Sequence, residues 1–517
     1  MDLLTTYLLA IRAGDGSKKP LQGPPAALRE PTLSVAPPPA GPSKEQSAPL
    51  YPDGRGKRLS AFDCRNPRQP PPRSAEELKP DLDYEASEGV REALAAIDAR
   101  VPAVMIHGGA GVGKTHLIHY LRECPGGDRQ VVVAPTGIAA LNAKGQTMHS
   151  VFFLPPHLLD PDRLEKIKGR PPHLWREMDR LVIDEISMVR VDVLDAIDAR
   201  LRFYRRSPLP FGGVQVVMIG DPLQLPPIVE EKDRELLYAL GYRTPFLHSA
   251  RVWSDVDLHS AELTRVFRQR DPDFIAALNR IRRGEQVEDA VAFLNAACHR
   301  RHRPDRTPML LTPTRAAADH HNRAGLAALP GEPTLYRSRI KGKFDIARDR
   351  LPAPEVLALK PGAEVMAVKN DEDRCWVNGS RGQVVSLSPD GVVVRFYETG
   401  QKHPVGRVVW EKYRQVWNAS EQRVESEVVG SYEQIPLIPG WALTIHKAQG
   451  LTLEDVRVDL GSGTFTSGQL YVALSRATSL DGLSFQRPLR VDDIKTDPQL
   501  VEFLDWLKQP ESEHGPD

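Results

Sequence analysis

The octapeptide GGAGVGKT constrains the fold of this 517-residue chain more than any other feature. It follows the apolar run AVMIH and precedes an amphipathic stretch, which predicts a strand, a glycine-rich loop and a helix in that order. Glycines let successive backbone N–H groups turn toward a phosphate, while the lysine reaches the β- and γ-phosphates and the threonine hydroxyl binds magnesium. The alternative is an ordinary glycine turn, which the flanking strand and helix disfavour. The predicted phosphate-binding residues are Gly108, Gly109, Ala110, Gly111, Val112, Gly113, Lys114 and Thr115.

Two series of strand-like runs accompany this loop. The first series comprises AVMIH, VVVAPT, RLVIDE and VQVVMIGD, separated by segments with helical spacing. The second series comprises MLLTPT, AEVMAVKN, ALTIHK and VRVDL, followed by a helix through QLYVALSRA. Strands that alternate with helices at this spacing predict parallel sheets covered by helices on both faces. We therefore predict an α/β protein in which such a core occurs twice.

Other segments depart from this alternation. From about residue 14 to residue 80 the chain is dense in Pro, Gly, Ser and Arg, which predicts a disordered tail. Residues 371–434 contain alternating β-branched and aromatic residues around an SPDG turn, which predict a small all-β insert. The apolar, proline-bearing segment at about 151–168 predicts an inserted loop or a short wedge.

These departures give a domain map of the chain. We predict a tail over residues 1–80, a first sheet domain over 81–247, and a second over 248–370 and 435–517, with the insert at 371–434 between the two parts of the second. Apolar residues at helical spacing after Leu82 add one amphipathic helix before the first strand.

The charge balance and the cysteines narrow the functional class. Lysines and arginines number 68 and acidic residues also 68, so any contact with nucleic acid must come from a local groove and not from a global field. The cysteines Cys64, Cys124, Cys298 and Cys375 lie far apart, which argues against a zinc site or a disulfide framework and favours a reducing cytoplasm.

The apolar start MDLLTTYLLAIRAG is too short to span a bilayer and carries Asp2 where a signal peptide would be basic. We interpret it as a short helix or a docking segment. No later stretch of the sequence is apolar over enough residues to cross a membrane. A soluble protein without a membrane partner is therefore expected.

Carboxylates follow the strand that ends in LVIDE. Asp184 and Glu185 would lie at the carboxyl end of that strand, where open α/β sheets present ligands. After a P-loop, we predict that Asp184 holds magnesium through water and that Glu185 polarises the attacking water. Asp221 and Gln224 end the next strand. Gln224 either contacts the γ-phosphate and the DNA-binding surface, or belongs to an ordinary proline-stopped loop.

Polar loops after other strands are candidates for nucleic-acid contacts. Pro135 and Thr136 offer backbone and hydroxyl groups for phosphates, while His149 and Phe153 would contact a sugar or stack on a base unless they belong to the core. In WALTIHKAQGLTL the predicted contacts with DNA or nucleotide are His446, Lys447 and Gln449, and the alternative is a glycine-ended strand with a basic turn.

Hydrolysis of a triphosphate needs positive charge at the γ-phosphate, which a P-loop alone supplies incompletely. An inserted arginine contributes on the order of 10³-fold or more in rate. Arg268 in TRVFRQ and Arg476 in YVALSRA are the candidates. On local pattern alone each is also compatible with an ordinary surface arginine.

Taken in order, these motifs resemble the bacterial-type Pif family of superfamily-one, group-B helicases over roughly residues 85–489. The most specific strings are PFGGVQVVMIGDPLQLPP, LTRVFRQRDPDFIAALNRIRRG, VNGSRGQV, LTIHKAQGLTL and GQLYVALSRATSLDGL. The resemblance implies two RecA-like P-loop NTPase domains with an SH3-like accessory insert and a wedge insertion. It also implies ATP and Mg²⁺ as cofactors, and 5′ to 3′ movement on single-stranded DNA in replication, recombination or repair.

The resemblance also assigns residues. It places Lys114, Thr115, Asp184, Glu185, Gln224, Arg268 and Arg476 in an ATPase site between the domains. It assigns DNA-contacting or coupling roles to Pro135, Thr136, His149, Phe153, His446, Lys447, Gln469 and Tyr471. It implies a bacterial, cytoplasmic and nucleoid-associated monomer that acts on 5′-tailed duplexes, G-quadruplexes and DNA–RNA hybrids. The tail, which the family pattern does not explain, is a candidate for binding a protein partner.

One position departs from the family pattern. Such helicases usually carry a glutamine upstream of the P-loop that reads adenine, and the helix LDYEASEGVREALAAI has none. The departure predicts that nucleoside triphosphates other than ATP are also accepted.

Several rival functions share some of these motifs. A RecD-like or conjugative helicase has the same motor and would differ in substrate preference. An ATP-regulated nucleic-acid clamp would bind without displacing a strand. A metabolic P-loop kinase is disfavoured, because it would have no use for a second sheet domain with its own arginine and basic loop.

Overall fold

The computed structural model describes residues 87–123, 129–164, 172–298, 307–346, 348, 351–373 and 375–508. The predicted tail and the last part of the predicted wedge, 165–168, lie outside these residues. The helices are α1 (Glu88–Asp98), α2 (Lys114–Glu123), α3 (Gly137–Asn142), α4 (Met148–Val151), α5 (Leu174–Glu177), α6 (Val191–Arg205), α7 (Glu231–Ala239), α8 (Pro272–Arg283), α9 (Val287–Ala297), α10 (Arg315–Ala327), α11 (Gln469–Leu474) and α12 (Pro498–Trp506).

A parallel sheet forms the first lobe. Its strands are β1 (Ala103–His107), β2 (Gln130–Ala134), β3 (Gln146–Thr147), β4 (Arg180–Ile183), β5 (Gln215–Gly220) and β6 (Leu258–Glu262). The spatial order is β3-β2-β4-β5-β1-β6, and every pair is parallel. Strands β1, β2, β4 and β5 are buried throughout, because helices cover both faces of the sheet. Their carboxyl ends meet at one edge, where ligands bind in such sheets.

The second lobe is built on a smaller parallel sheet. Its strands β7 (Met309–Thr312), β18 (Ala442–Thr444), β19 (Val456–Val458) and β20 (Leu483–Phe485) lie in the order β18-β7-β19-β20. An apolar core of residues from α8, α9, α11 and these strands stabilises the lobe. The predicted α/β class with two such sheets is confirmed.

The all-β part is larger than predicted. Strands β11 (Glu364–Ala367), β12 (Arg381–Ser388), β13 (Gly391–Phe396), β14 (Lys402–Gly406) and β17 (Leu437–Pro439) form an antiparallel sheet. Strands β9 (Arg339–Gly342), β15 (Val408–Asn418) and β16 (Arg423–Gln434) form another, and β8 (Thr334–Arg337) pairs with β10 (Val356–Leu359).

The predicted boundaries therefore need correction. Strands β8 to β11 begin the β-rich part well before the predicted boundary at residue 371, and β17 extends it beyond residue 434. The predicted end of the first domain at residue 247 is also wrong, because β6 pairs in parallel with β1 of the first sheet. Strand β6 was missed because its sequence LHSAE is short, polar and only partly buried.

The predicted wedge is packed against the first lobe. The buried side chains of Leu154, Leu158 and Leu159 anchor it in the core. The Leu159 N–H donates to the buried carboxylate of Asp192 (2.8 Å), and the indole N–H of Trp175 donates to the carbonyl of Val151 (3.1 Å). Residues 151–164 therefore have a fixed backbone.

The long β15–β16 hairpin docks onto the first lobe, and Gln415 makes the hydrogen bonds at this contact. The Gln415 amide donates to the carbonyl of Val132 (2.9 Å), and its oxygen accepts the Val132 N–H (3.2 Å). The Gln415 N–H donates to the side-chain oxygen of Gln146 (2.7 Å). Since β3 pairs with β2 only at Val133 and Ala134, the Gln415 amide completes the hydrogen bonds of Val132.

No helix among the described residues is both long and apolar enough to cross a membrane.

Replacing Gln415 with alanine should weaken this docking, because the buried N–H and C=O of Val132 lose their partner. We expect the free energy that protects the Val132 amide from hydrogen exchange to fall by roughly 1–3 kcal/mol. Hydrogen exchange followed by mass spectrometry checks this, with Gln422→Ala at the exposed hairpin tip as the control. Unchanged protection in Gln415→Ala would contradict the docking role.

Candidate active site between the two lobes

The P-loop joins β1 to α2 and turns sharply at its glycines. Gly111 and Gly113 have φ angles of 82° and 90°, which favour glycine. A Cβ at Gly108 would lie 2.4 Å from the carbonyl oxygen of Leu263, so the loop is also packed too closely for a side chain there. The Lys114 ammonium donates to the carbonyls of Gly108 (2.8 Å) and Gly109 (2.7 Å). Its desolvated position lowers the pKa of Lys114 to about 8.

Asp184 and Glu185 follow β4 at the same edge of the sheet. Glu185 has a φ of 50°, and its N–H donates to the carboxylate of Asp184 (2.8 Å). Burial and the neighbouring Glu185 charge raise the pKa of Asp184 to about 7, and burial also raises the pKa of Glu185. Carboxylates crowded in this way are stabilised by a cation.

Asp221 follows β5 and forms a buried ion pair. Arg282 of α8 donates to its carboxylate at 2.7 Å, and the amide of Gln224 donates to it at 3.2 Å. Burial alone would raise the pKa of Asp221, but the charges of Arg282 and Lys114 outweigh burial and lower it. The pair connects the first lobe to α8 and fixes Gln224 beside the P-loop.

The predicted arginines both reach this edge. Arg268 donates to the hydroxyl of Thr452 (3.0 Å) and to the carbonyl of Ser475 (3.0 Å). Arg476 is buried and donates to the hydroxyl of Ser475 (2.8 Å) and the carbonyl of Val472 (2.9 Å). Burial and the nearby Arg268 charge lower the pKa of Arg476 to about 9. An anion between the arginines would relieve this repulsion.

These groups meet in a cleft of about 680 Å³, a volume typical of small-ligand sites. Both lobes contribute to it. Its lining includes Ala110, Gly111, Val112, Gly113, Lys114, Thr115, Glu185, Gln224, Arg268 and Arg476. The buried side chain of Val112 packs in the core of the first lobe. Gly109 lines an adjoining smaller pocket, together with Tyr471 and Arg282.

Contacts between the lobes reach the cleft itself. The Tyr471 hydroxyl accepts the N–H of Ala110 in the P-loop (2.7 Å), and the amide of Gln449 donates to Glu185 (3.0 Å). The predicted DNA contacts of Gln469 and Tyr471 are therefore contradicted, because both side chains are buried. Both residues belong to α11, which packs in the apolar core of the second lobe. The local sequence did not indicate that their side chains would be buried there.

The candidate DNA-contacting residues of the first lobe lie at its other loops. Pro135 and Thr136 precede α3, where the Thr136 hydroxyl accepts the N–H of Ala139 (3.2 Å). His149 is half-buried in α4, and Phe153 is 54% exposed. Phe153 has a φ of 51° and lies edge-on to Trp175, with ring centroids 5.9 Å apart. A large exposed aromatic side chain in a left-handed conformation is costly, which favours a functional role.

In the second lobe, the candidates of the TIHKAQG loop differ in exposure. Lys447 is exposed, whereas half-buried His446 stacks on Phe465, with centroids 6.1 Å apart and planes at 13°. Phe465 was missed by sequence reasoning. Arg282 was missed as a partner of Asp221, because its position in an Arg-rich helix end gives no sign of a pairing 61 residues away.

The sheets and the cleft define a class: a two-lobed P-loop NTPase whose nucleotide site is lined by Arg268, beside the P-loop, and by Arg476 of the second lobe. A family model for PIF1-like helicases matches residues 85–290. The ATP-dependent DNA helicase Pif1 of Bdellovibrio bacteriovorus is 32% identical over 74% of this chain and 83% of its own length. The chain therefore belongs to the PIF1-like helicase family.

Solved structures agree with this placement. The crystal structure of Bacteroides sp. Pif1 with ADP-AlF4 matches with a TM-score of 0.75 and 36% identity, covering 82% of this chain and 97% of that one. A structure of Bacteroides Pif1 with ADP-AlF3 and single-stranded DNA gives a TM-score of 0.60 at 36% identity, with coverage of 83% and 98%.

A longer relative is also similar. The ATP-dependent DNA helicase PIF1 of Emericella nidulans is 34% identical over 80% of this chain, but the match spans only 62% of that protein. The chain thus covers less than two thirds of this relative's length.

Replacing Tyr471 with phenylalanine should weaken nucleotide binding, because the Ala110 N–H loses its acceptor while the ring still packs. We expect the Kd for a fluorescent ADP analogue to rise roughly 2- to 10-fold, as for one net hydrogen bond. Fluorescence titration checks this, and Tyr413→Phe in the β15–β16 hairpin is the control. A Kd equal to that of the wild type would show that the contact does not support the P-loop.

Proposed function

We propose that this protein is an ATP-dependent helicase that moves along single-stranded DNA and separates duplex strands. One observation carries the proposal: Lys114 and Glu185 of the first lobe share a cleft with Arg476 of the second. A site divided in this way makes hydrolysis depend on the relation between the lobes, which a motor requires. The similar proteins of Emericella nidulans and Bdellovibrio bacteriovorus are ATP-dependent DNA helicases, which supports the same activity.

ATP hydrolysis is assigned to the residues of this cleft. The P-loop N–H groups and Lys114 bind the phosphates, and the donor set of Thr115 and Asp184 fits Mg²⁺, which prefers oxygen ligands. A bound Mg²⁺ would neutralise phosphate charge. Glu185 accepts a proton from the attacking water, and its raised pKa suits that task.

Arg268 and Arg476 supply positive charge at the γ-phosphate when the lobes close. Since an anionic ligand relieves the repulsion between these arginines, the nucleotide binds the closed form better than the open one. Only such a difference in affinity can drive a change between the two forms. Gln224 and Gln449 are proposed to relay the state of the nucleotide, because each bonds to a carboxylate at the cleft.

DNA is proposed to run across both lobes. Pro135, Thr136 and His149 contact its backbone, Phe153 stacks on a base, and His446 and Lys447 hold the strand on the second lobe. Opening and closing of the cleft would move the DNA contacts of one lobe relative to those of the other. The segment 151–164 then splits the duplex as a wedge.

Substrate details follow from the family. Bacteroides Pif1 has been solved with single-stranded DNA and at forked double-stranded DNA. For this chain we propose 5′ to 3′ movement, unwinding of 5′-tailed duplexes, G-quadruplexes and DNA–RNA hybrids, and action as a nucleoid-associated monomer in replication, recombination or repair. A protein partner for the N-terminal tail belongs to the same proposal.

Few residues of the cleft are candidates for recognising the base of the nucleotide. Because the upstream helix has no glutamine, His116 and Phe267, which line the cleft, are the side chains proposed to contact the base. An aromatic ring contacts any base through its π-face. We therefore propose that nucleoside triphosphates other than ATP are also hydrolysed.

Unwinding of matched duplexes with a 5′ or a 3′ single-stranded tail tests the proposal. We expect ATP-dependent strand displacement from the 5′ tail only. Lys114→Ala should abolish hydrolysis and unwinding while largely sparing DNA binding, because it removes a phosphate contact away from the DNA. Lys402→Ala, at an exposed position of the insert, should behave as the wild type. Unwinding by Lys114→Ala would refute the motor, and unwinding from the 3′ tail alone would refute the polarity.

A further inference from the structure

Phe465 is an exposed aromatic side chain on a fixed backbone. It lies between β19 and α11, and 59% of it is exposed. Its N–H donates to the side-chain oxygen of Gln469 (3.0 Å), which is buried. The hydroxyl of the preceding Thr464 donates to the carbonyl of Asp493 (2.8 Å), also a buried contact. The exposure of the ring is therefore not the result of a loose loop.

The Phe465 ring forms part of a flat surface with His446. The two rings are nearly parallel, at 13°, with centroids 6.1 Å apart. Burial lowers the pKa of His446, so its ring is neutral at neutral pH. Stacking buries part of His446 but leaves much of Phe465 accessible. Single exposed apolar side chains are ordinary in proteins, whereas a stacked pair on an anchored loop is a prepared surface.

The surroundings of this surface indicate what it binds. The exposed Lys447 follows His446 directly and can pair with a phosphate. In the same turn, Gln449 reaches Glu185 at the nucleotide cleft. Aromatic stacking beside positive charge is the chemistry that holds single-stranded nucleic acid without sequence preference.

We propose that Phe465, backed by His446, is a base-stacking site of the second lobe that holds one base of single-stranded DNA. The site rests on the proposed function and deepens it, since Phe465 is the counterpart of Phe153 in the first lobe. Each lobe thus contributes one aromatic side chain that stacks on a base. Gln469 acts as a positioning residue, because it fixes the backbone of Phe465 and does not itself contact DNA.

The test measures the affinity of the full chain for oligodeoxythymidylate by fluorescence anisotropy. Phe465→Ala should raise the Kd roughly 5- to 150-fold, the range that one base–aromatic stack contributes. Phe465→Leu keeps apolar bulk without a ring and should lose as much, while Phe465→Trp should bind at least as well as the wild type. Phe203→Ala removes an equally exposed ring from α6 and should leave the Kd unchanged.

A second arm identifies the base. Oligonucleotides carrying a single abasic site at successive positions are titrated against the wild type and Phe465→Ala. One position should weaken binding to the wild type but not to the variant, because the variant has already lost that stack. Equal losses at every position for both proteins would overturn the proposal.

The outcomes separate this inference from the proposed function. If the wild type does not bind the oligonucleotide, the helicase assignment fails. If the wild type binds and Phe465→Ala binds equally well, or if Phe465→Leu retains wild-type affinity, the stacking site alone is refuted.

Discussion

The structure depends on burying the positive charges of Arg268 and Arg476 in the cleft beside the P-loop. Arg282 is neutralised by Asp221, whereas Arg268 and Arg476 donate hydrogen bonds to neutral oxygens of Thr452, Ser475, Val472 and Leu451. Burial and the repulsion between the arginines lower the pKa of Arg476, so a polyanion bound in the cleft would stabilise both charges. In the proposed mechanism, nucleotide binding therefore favours closure of the lobes.

Two short elements, α11 and the turn from Thr444 to Leu451, connect the nucleotide cleft to the proposed DNA surface. Helix α11 holds the P-loop through Tyr471 and the Phe465 loop through Gln469, so one turn of helix separates the nucleotide from the proposed DNA surface. In the turn from Thr444 to Leu451, His446 stacks on Phe465 and Gln449 donates to Glu185 at the cleft. Rigid elements that contact both sites can transmit a change only if the nucleotide favours one arrangement of the lobes.

The sequence predicted what local backbone chemistry encodes. The P-loop, the carboxylates after β4 and the strands β7, β18 and β19 follow from glycine spacing and apolar runs, whereas AEVMAVKN, predicted for the second parallel core, forms β11 of the antiparallel sheet. The contacts of Gln415 with Val132 and of Tyr471 with Ala110 could not be predicted from the sequence. They join residues hundreds of positions apart, and no local pattern shows which polar group a side chain will bond to. Strand β9, with the exposed sequence RIKG, was missed because it has no buried face to produce an alternating pattern.

Arg268 and Arg476, which both lie outside the P-loop itself, are proposed to complete the hydrolytic site. Single-turnover hydrolysis of ATP in the presence of single-stranded DNA tests this proposal most directly, using Arg268→Ala and Arg476→Ala, with nucleotide binding measured in parallel. Each variant should bind nucleotide but hydrolyse it more slowly by on the order of 10³-fold. Hydrolysis at the wild-type rate in both variants would contradict the shared site.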